Sequence, residues 1–336
     1  MSTATEATTL RSQLRGTKKG RYADPLFKSL MTTAGVFVLF LLGVMIVRTT
    51  VDAWPVFQKE GFFGFLFGMQ WTAQASNETT NPDLMLGTYG AWPFIYGTFV
   101  TAFIALVIAL PLAIATALYI TQAAPRRIRN SLSYWVETLA AVPSIVYGLW
   151  GLLFFVPVVL MPLFAWLEST FLGDTFLFEG PVRNVSYLAA GTVLAIMILP
   201  IMTAIIREVF SAAPQDELNA AYGMGATRWE VIRQVLLPRS TSGIVGGTML
   251  GMGRAIGETI AVAMLVGGSQ RMGYSLFFGG DSMAAHIVST FADAYPETII
   301  GLMAIGVALF LFTFFINILA RALVWRVGRL GGDSAV

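Results

Sequence analysis

The chain of 336 residues has no cysteine, one histidine and four lysines, and each shortage excludes a class of site. Without cysteine there is no disulfide, thiolate metal site or cysteine nucleophile. The single histidine, His286, excludes a two-histidine metal motif and leaves little room for a conventional catalytic triad. No lysine follows a glycine, so a Walker A phosphate loop is absent. The sequence therefore predicts no catalytic residue, no metal site and no ATP hydrolysis through such a loop.

Charged residues are also scarce, as is typical of a protein that lies in a membrane. Only 12% of the residues are charged and 56% are hydrophobic, whereas a soluble domain is about 25% charged. The formal net charge of +2 is too small to indicate a nucleic-acid partner. The composition predicts an all-α integral membrane protein.

Apolar runs long enough to cross a bilayer, about 20 residues each, occur six times. The third lies in a longer apolar stretch that contains Pro143 and Pro157, so we expect one kinked helix with an interfacial tail. The six predicted spans are Met31 to Val51, Phe94 to Ile120, Tyr134 to Pro157, Tyr187 to Ile206, Gly243 to Gly267 and Thr298 to Leu319.

Basic residues cluster in alternate loops and in both tails, and this pattern predicts cytoplasmic N and C termini. The sequence accordingly divides into a cytoplasmic tail over residues 1–30, a membrane domain over 31–320 and a second cytoplasmic tail over 321–336. Residues 52–92 form a large, aromatic-rich outer loop, which suits either an interfacial anchor or a docking surface for an external partner. The other outer loops are acidic, so this face does not by itself attract an anion. The basic residues predicted to be cytoplasmic are Arg11, Arg15, Lys18, Lys19, Arg21, Lys28, Arg126, Arg127, Arg129, Arg207, Arg228, Arg233, Arg239, Arg321, Arg326 and Arg329.

The longest inner loop, residues 207–238, has the pattern of two helices joined by a glycine turn. Pro214 suits a first helical position, and both Gly223 and Gly225 can adopt the positive φ of a helix end. Thr227 and Glu230 form a capping box that opens a second helix, which we expect to end before Pro238. A short helix held across the spans would act as a lever for a partner that grips it.

This loop resembles the EAA loop of ABC importer permeases, the segment that docks on the ATPase subunit. The resemblance rests on Asn219, two alanines and Gly225, followed after nine residues by Val235-x-Leu237-Pro238. The family's glutamate is replaced by Asn219, which removes a salt bridge there and leaves the docking geometry. The implied ATPase-coupling residues are Asn219, Ala220, Ala221, Gly223, Gly225 and Pro238.

The fifth predicted span carries glycine and charge on one helical face. Gly243, Gly247 and Gly251 favour close helix packing. Arg254 and Glu258 follow on the same face, and ionised side chains inside a membrane are costly enough to mark a transport path. Arginine also matches a tetrahedral oxyanion with two parallel hydrogen bonds. We therefore expect a substrate path at these two residues, with Glu258 holding Arg254 until an anion arrives; a purely structural ion pair is the alternative.

The segments Arg254-Ala-Ile-Gly-Glu-Thr-Ile-Ala-Val and Ala141-Val-Pro-Ser-Ile-Val-Tyr-Gly-Leu-Trp-Gly closely resemble phosphate ABC importer permeases of the PstC type. The resemblance implies a type I ABC importer permease fold in a bacterial cytoplasmic membrane and inward transport of phosphate by alternating access. It implies a PstA-like permease, two copies of a PstB-like ATPase and a PstS-like phosphate-binding protein as partners. ATP and Mg would bind the ATPase, and no cofactor would bind this chain. Another tetrahedral oxyanion as cargo, or an ion-coupled secondary carrier, remains an alternative.

Two further ionisable residues are predicted to be peripheral. Glu137 is expected at the membrane interface, near the inner end of the third span. His286 is expected to be solvated or locally bonded in an outer loop.

Overall fold

A computed structural model describes the backbone of residues 20–72, 87–170, 173 and 175–332, and the side chains of residues 25–72, 87–170, 173 and 175–322. Most of the predicted N-terminal tail, residues 1–30, and most of the C-terminal tail, residues 321–336, lie outside the described side chains. The chain divides into two compact units, Met1–Val51 and Asp52–Val336.

The described residues are mostly helical. Helix α1 (Gly20–Glu60) begins in the first unit and ends in the second. A two-stranded antiparallel sheet joins β1 (Trp71–Thr72) to β2 (Thr88–Tyr89), with Trp71 opposite Tyr89. The remaining helices are α2 (Phe62–Phe67), α3 (Trp92–Leu118), α4 (Arg126–Ala140), α5 (Ser144–Trp150), α6 (Met161–Glu168), α7 (Tyr187–Ser211), α8 (Gln215–Gly223), α9 (Arg228–Val231), α10 (Leu237–Ile256), α11 (Ile260–Leu265), α12 (Met283–Phe291) and α13 (Pro296–Gly332).

Three π-helical segments continue or connect these helices. The segment Tyr119–Ala123 extends α3, Gly151–Leu160 joins α5 to α6, and Ile232–Leu236 joins α9 to α10. Pro157 lies within the second of them. A π turn shifts the hydrogen-bond register, and the chain stays helical through Pro157 although proline has no N–H to donate.

Five helical stretches in the described part of the chain are long and apolar enough to cross a membrane, one fewer than predicted. The prediction that the third span begins at Tyr134 is wrong, because α4 ends at Ala140 and a new helix begins at Ser144. Pro143 causes this break, since it has no N–H to donate and its backbone is extended (φ −60°, ψ 140°). The five stretches are Pro25–Glu60, Trp92–Ala123, Ser144–Glu168, Tyr187–Ser211 and Pro296–Ala322.

Small residues allow the helices of the second unit to pack closely. Alanines recur every three or four residues along one face of α3, and all of them are buried; they are Ala102, Ala105, Ala109, Ala113 and Ala117. Gly191 of α7 has no room for a side chain, because a Cβ there would lie 2.7 Å from Ile104 of α3. Helices that pack in lipid gain contact by such close approach.

Three glycines of α10 also face α7. A Cβ on Gly243 would lie 2.4 Å from Val209, and a Cβ on Gly251 would lie 2.6 Å from Met202. At Gly247 the corresponding distance to Ile206 is 3.2 Å. The glycine face therefore sets the separation of α10 from α7, and α10 carries Arg254 at its end.

Candidate functional site

The predicted fifth span is interrupted directly after Arg254. Helix α10 ends at Ile256, and α11 begins at Ile260. Gly257 closes α10, where its N–H donates to the Gly253 carbonyl at 3.2 Å. The prediction of one continuous helix over Gly243 to Gly267 is therefore wrong. Glycine disfavours a helix interior. The next residue accepts a hydrogen bond from a backbone N–H in the first turn of the following helix.

That residue is Glu258, which is buried and caps α11. Its Oε1 accepts a hydrogen bond from the Ala261 N–H at 3.3 Å, and the side chain belongs to a residue only 9% exposed. A carboxylate at a helix N-terminus satisfies an otherwise unpaired N–H and interacts favourably with the helix dipole. Among the described residues no ion pair joins Glu258 to Arg254, so the expectation that Glu258 holds Arg254 is wrong.

Arg254 lies in the last turn of α10 with an unused donor. Its Nε is buried and has no hydrogen-bond partner among the described residues. Burying a polar group without a partner is costly, and a guanidinium presents a fixed fork of donors suited to a tetrahedral oxyanion. The site therefore has a free donor at a helix break, where an anion could be received.

The two segments that resemble the phosphate permeases, residues 254–262 and 141–151, pack together here. Gly148 of α5 faces α11, and a Cβ on it would lie 2.9 Å from Met264 Sδ and 3.0 Å from Ala261 Cα. Tyr147, its neighbour, lies within electrostatic range of Arg254. Sequence reasoning did not assign Tyr147 to the site, although its position in the second motif was a signal.

Tyr147 also bridges the break before α5. Its hydroxyl donates to the Leu139 carbonyl at 2.9 Å. In a continuous helix that carbonyl would accept from residue 143, which is a proline without an N–H. The Tyr147 hydroxyl therefore supplies a donor that Pro143 cannot.

The helix-turn-helix predicted for the longest inner loop, residues 207–238, is present. We call this segment the coupling loop, after the permease loop that it resembles. Helix α8 covers Gln215–Gly223, and Gly225 adopts φ +88°. Gly223 remains helical, so only one of the two glycines uses the positive-φ region. The Thr227 N–H donates to Glu230 Oε2 at 2.7 Å, and the Glu230 N–H donates to Thr227 Oγ1 at 3.4 Å, which completes the capping box.

Hydrogen bonds within this box affect the charge of Glu230. The backbone N–H and the hydroxyl of Thr227 both donate to the carboxylate, and they hold the pKa of Glu230 below its usual range. The cap is therefore in its charged form at neutral pH.

The coupling loop has one buried and one exposed face. Leu218 and Ala221 pack inward, whereas Asn219 and Ala220 are exposed. Beyond the turn, Met224 is 85% exposed. An ion pair of 3.5 Å between Glu217 Oε1 and an Arg239 terminal nitrogen links α8 to α10, so the exposed face is connected to the helix that carries Arg254.

The prediction that the second loop helix ends before Pro238 is wrong. Pro238 lies in the first turn of α10, and the π segment Ile232–Leu236 leads into it from α9. A first-turn proline does not interrupt the ladder, because N–H groups there have no helical acceptor. Helix α9, the π segment and α10 are thus continuous helix.

Glu137 is paired with a residue from another helix. Its Oε1 lies 2.8 Å from Arg207 Nη2, so the ion pair joins α4 to α7. Arg207 is 15% exposed and Glu137 is 57% exposed. Glu137 is not in a span, since α4 precedes the Pro143 break.

His286 is locally bonded rather than solvated, which is one of the two alternatives expected from the sequence, although it lies in helix α12 and not in a loop. It is 2% exposed, and its Nδ1 lies 2.9 Å from Oδ2 of Asp281, which is also buried. The ring stacks on Phe94 at 4.1 Å and meets the edge of Trp71 at 4.9 Å. The sequence held a sign of this pairing. Ser282 caps α12, so Asp281 lies just before the helix and His286 lies one turn further along it. Within the described ranges, no group of three or more acidic or histidine residues is placed to hold a metal ion.

Comparisons with known proteins agree with the fold and with the two motifs. Residues 109–329 match the family of binding-protein-dependent transport system inner membrane components. The chain is 37% identical over 319 residues to the phosphate transport system permease protein PstC of Xylella fastidiosa, a match that covers 93% of each chain. The chain belongs to the PstC group of this permease family.

Other relatives extend the match. The PstC protein of Mycobacterium leprae is 42% identical over 243 residues, which cover 70% of this chain and 74% of that protein. A crystal structure of a bacterial alginate ABC transporter, in complex with an alginate pentasaccharide-bound periplasmic protein, superposes with a TM-score of 0.55 at 13% identity, over 91% of this chain and 97% of that one. This last likeness shows the fold alone.

Membership settles several predictions. The chain is a multi-pass inner membrane permease subunit of an ABC importer with a type I permease fold, and it is a transport component rather than an enzyme. The importer is a multi-subunit assembly with an ATPase and a binding protein. The ion-coupled carrier considered from the sequence is therefore excluded.

Proposed function

We propose that this permease subunit passes inorganic phosphate inward by alternating access, driven by ATP hydrolysis on a partner. The observation that carries the proposal is the match to PstC proteins along 93% of the chain, since those relatives are phosphate permeases by name. The buried Nε of Arg254, which has no hydrogen-bond partner within the described residues, supplies the chemistry, because an oxyanion would satisfy that donor.

Arg254 is proposed to receive the anion as it leaves water. A guanidinium remains charged when dehydrated and donates two parallel hydrogen bonds to a tetrahedral oxyanion. Arg254 lies beside a helix discontinuity, since α10 ends at Ile256 and α11 begins at Ile260. Discontinuous helices commonly form the substrate sites of membrane transporters.

Glu258 is proposed to act through the helix break rather than through an ion pair. Its carboxylate occupies the N-terminal end of α11, so a passing anion is directed away from that end. The cap also fixes where α10 stops and α11 starts, and this fixes the position of Arg254.

The coupling loop is proposed to transmit closure of the ATPase to α10. The exposed residues Asn219 and Ala220 form the face that an ATPase groove would grip, and Gly225 sets the angle of the turn. Helix α9, the π segment and α10 are continuous, and Glu217 of α8 pairs with Arg239 of α10. Displacement of α8 would therefore move the helix that carries Arg254. This is a rigid-body coupling of the kind seen in switching transitions.

The proposed assembly pairs this chain with a PstA-like permease, two copies of a PstB-like ATPase and a PstS-like phosphate-binding protein. ATP and Mg would bind the ATPase, and no cofactor would bind this chain. The binding protein would deliver the anion to an outer face that is acidic and does not attract anions unaided. This arrangement requires both termini in the cytoplasm and residues 52–92 outside.

Reconstitution of the assembled transporter in proteoliposomes tests the proposal. We expect uptake of radiolabelled phosphate that requires ATP inside and the binding protein outside. Phosphate uptake is also measured with unlabelled arsenate or sulfate in excess and the binding protein held constant, which shows whether these oxyanions compete. Their own uptake is then measured with radiolabelled anion. Uptake of another oxyanion with no uptake of phosphate would contradict the proposed cargo and favour a permease for that anion.

A further inference from the structure

A second group of arginines lines a groove on the side of the molecule where the coupling loop begins. The groove lies between α4 and α7, and its end is formed by the residues that lead into α8. Two arginines and two glutamates line it, namely Arg129, Arg207, Glu137 and Glu208. This charged groove is separate from Arg254, and nothing in the proposed path uses it.

Arg207 has an internal anion as its partner. Glu137 approaches it to 2.8 Å, yet Arg207 is only 15% exposed whereas Glu137 is 57% exposed. The guanidinium is therefore held in place by the protein, and the carboxylate is free to leave toward water. Because the Glu137 carboxylate is already largely in water, its release buries no unpaired charge, and an arriving oxyanion that pairs with Arg207 would displace it at small cost.

Arg129 offers further donors to the same space. Its Nε is buried and has no hydrogen-bond partner in the described part of the chain. Asn130 and Ser133 line the groove beside it and add an amide and a hydroxyl. With Glu137 in place the four charges cancel; once Glu137 leaves, the groove has a net charge of +1.

We propose that this groove is a second anion site, which takes a phosphate oxyanion on Arg207 and Arg129 in place of the Glu137 carboxylate. The inference rests on the proposed function, in which phosphate leaves toward this side. Glu137 then competes with the released anion for Arg207, so the anion is held weakly and its return is opposed. A phosphate-bearing lipid headgroup shares this chemistry, and the experiment separates the two sources.

Equilibrium binding of radiolabelled inorganic phosphate to the assembled transporter tests the site. The transporter is placed in phosphatidylcholine nanodiscs without nucleotide or binding protein, in an Arg254→Gln background that removes the proposed path site. We expect residual phosphate binding that Arg207→Gln abolishes and that Glu137→Gln tightens by about two- to fivefold, because the anion no longer competes with a partly exposed carboxylate for Arg207. Arg207→Lys should restore part of the binding, because it keeps the charge and loses the fork.

Glu217→Gln is the matched control, since it breaks another arginine–glutamate pair, that with Arg239, and should leave phosphate binding unchanged. Phosphate binding that is equal in Glu137→Gln, Arg207→Gln and the control would overturn the inference. Normal phosphate uptake by the unmodified transporter alongside that result would leave the proposed function intact; absent uptake would remove the proposed function itself.

Lipid composition distinguishes the two sources. If the ligand is free phosphate, binding of radiolabelled phosphate depends on Arg207 in phosphatidylcholine nanodiscs. If the ligand is a lipid headgroup, radiolabelled phosphate binding does not depend on Arg207. In that case the number of phosphatidylglycerol molecules retained by the complex, counted by native mass spectrometry, should fall in Arg207→Gln. Glu137→Gln, a change at an exposed side chain, keeps the test decisive if Arg207→Gln fails to assemble.

Discussion

At the scale of single residues, the environments of Arg254 and Glu258 differ. The Nε of Arg254 is buried and has no partner in the part of the chain that the structure describes, whereas the Glu258 carboxylate accepts a hydrogen bond at the start of α11. The two residues therefore have separate tasks, and their variants should behave differently.

Arg254→Gln should abolish phosphate uptake while the complex still assembles, because the substituted amide has neither the charge nor the fork. Arg254→Lys should recover little uptake, since a point charge lacks bidentate geometry. The measurement is phosphate uptake in proteoliposomes together with the yield of purified complex. Full transport by the double variant Arg254→Gln, Glu258→Gln would contradict a path role for either charge.

Glu258→Gln should be milder for folding than Glu258→Ala. The glutamine keeps a side-chain oxygen that accepts from the Ala261 N–H, whereas alanine leaves the α11 N-terminus uncapped, at a typical cost of about 1 kcal/mol. Thermal stability of the purified complex measures the difference. Equal stability of the two variants would show that the cap seen at Glu258 does not contribute.

At the scale of elements, the turn of the coupling loop depends on one glycine. Gly225 adopts φ +88°, whereas Gly223 does not, and a Cβ at either position would meet no atom within 4 Å. Backbone conformation is therefore the only difference between them, and the pair forms a matched test.

Gly225→Val should strain the turn by about 1 kcal/mol or more, because a side chain disfavours the left-handed region. We expect weaker association with the ATPase, or failed uptake, while the chain still inserts. Gly223→Val should retain more of both activities. Co-purification of the ATPase and phosphate uptake are measured for each, and normal values for Gly225→Val would remove the coupling role from this turn.

The capping box of α9 should weaken in acid. Hydrogen bonds from Thr227 lower the pKa of Glu230, so the folded state binds a proton less readily than the unfolded state. The contribution of the cap is complete above the usual glutamate pKa of about 4.3 and is lost as the pH falls through the lowered folded value. Hydrogen exchange at the Glu230 amide, corrected for intrinsic rates, should show this loss in the native chain and not in Glu230→Gln.

At the scale of the whole molecule, the orientation in the membrane follows from the distribution of arginine and lysine and can be tested by labelling. The chain has no cysteine, so single substitutions report sidedness without background. Ser169 and Ser289 are exposed on the predicted outer side, and Ser131 and Ser242 are exposed on the predicted inner side.

Ser169→Cys and Ser289→Cys should react with an impermeant thiol reagent on intact cells. Ser131→Cys and Ser242→Cys should react only after lysis, because the basic loops are expected inside. Ser240→Cys is a buried control, since Ser240 is 3% exposed, and it should react on neither side. The opposite labelling pattern would overturn the predicted orientation.

The parts of the protein that the sequence alone determined are those governed by local physics. Long apolar runs identified the membrane as the solvent, and the Thr227–Glu230 spacing together with Gly225 predicted the helix-turn-helix. The family could be identified because its signatures are contiguous. Each of these features depends on residues within a few positions of one another.

The tertiary structure decided the features that depend on distant residues. Glu137 pairs with a residue 70 positions away, and His286 is buried because Phe94 and Trp71 cover it. Burial and long-range charge pairing arise from packing between helices, and no periodicity within a single helix encodes them.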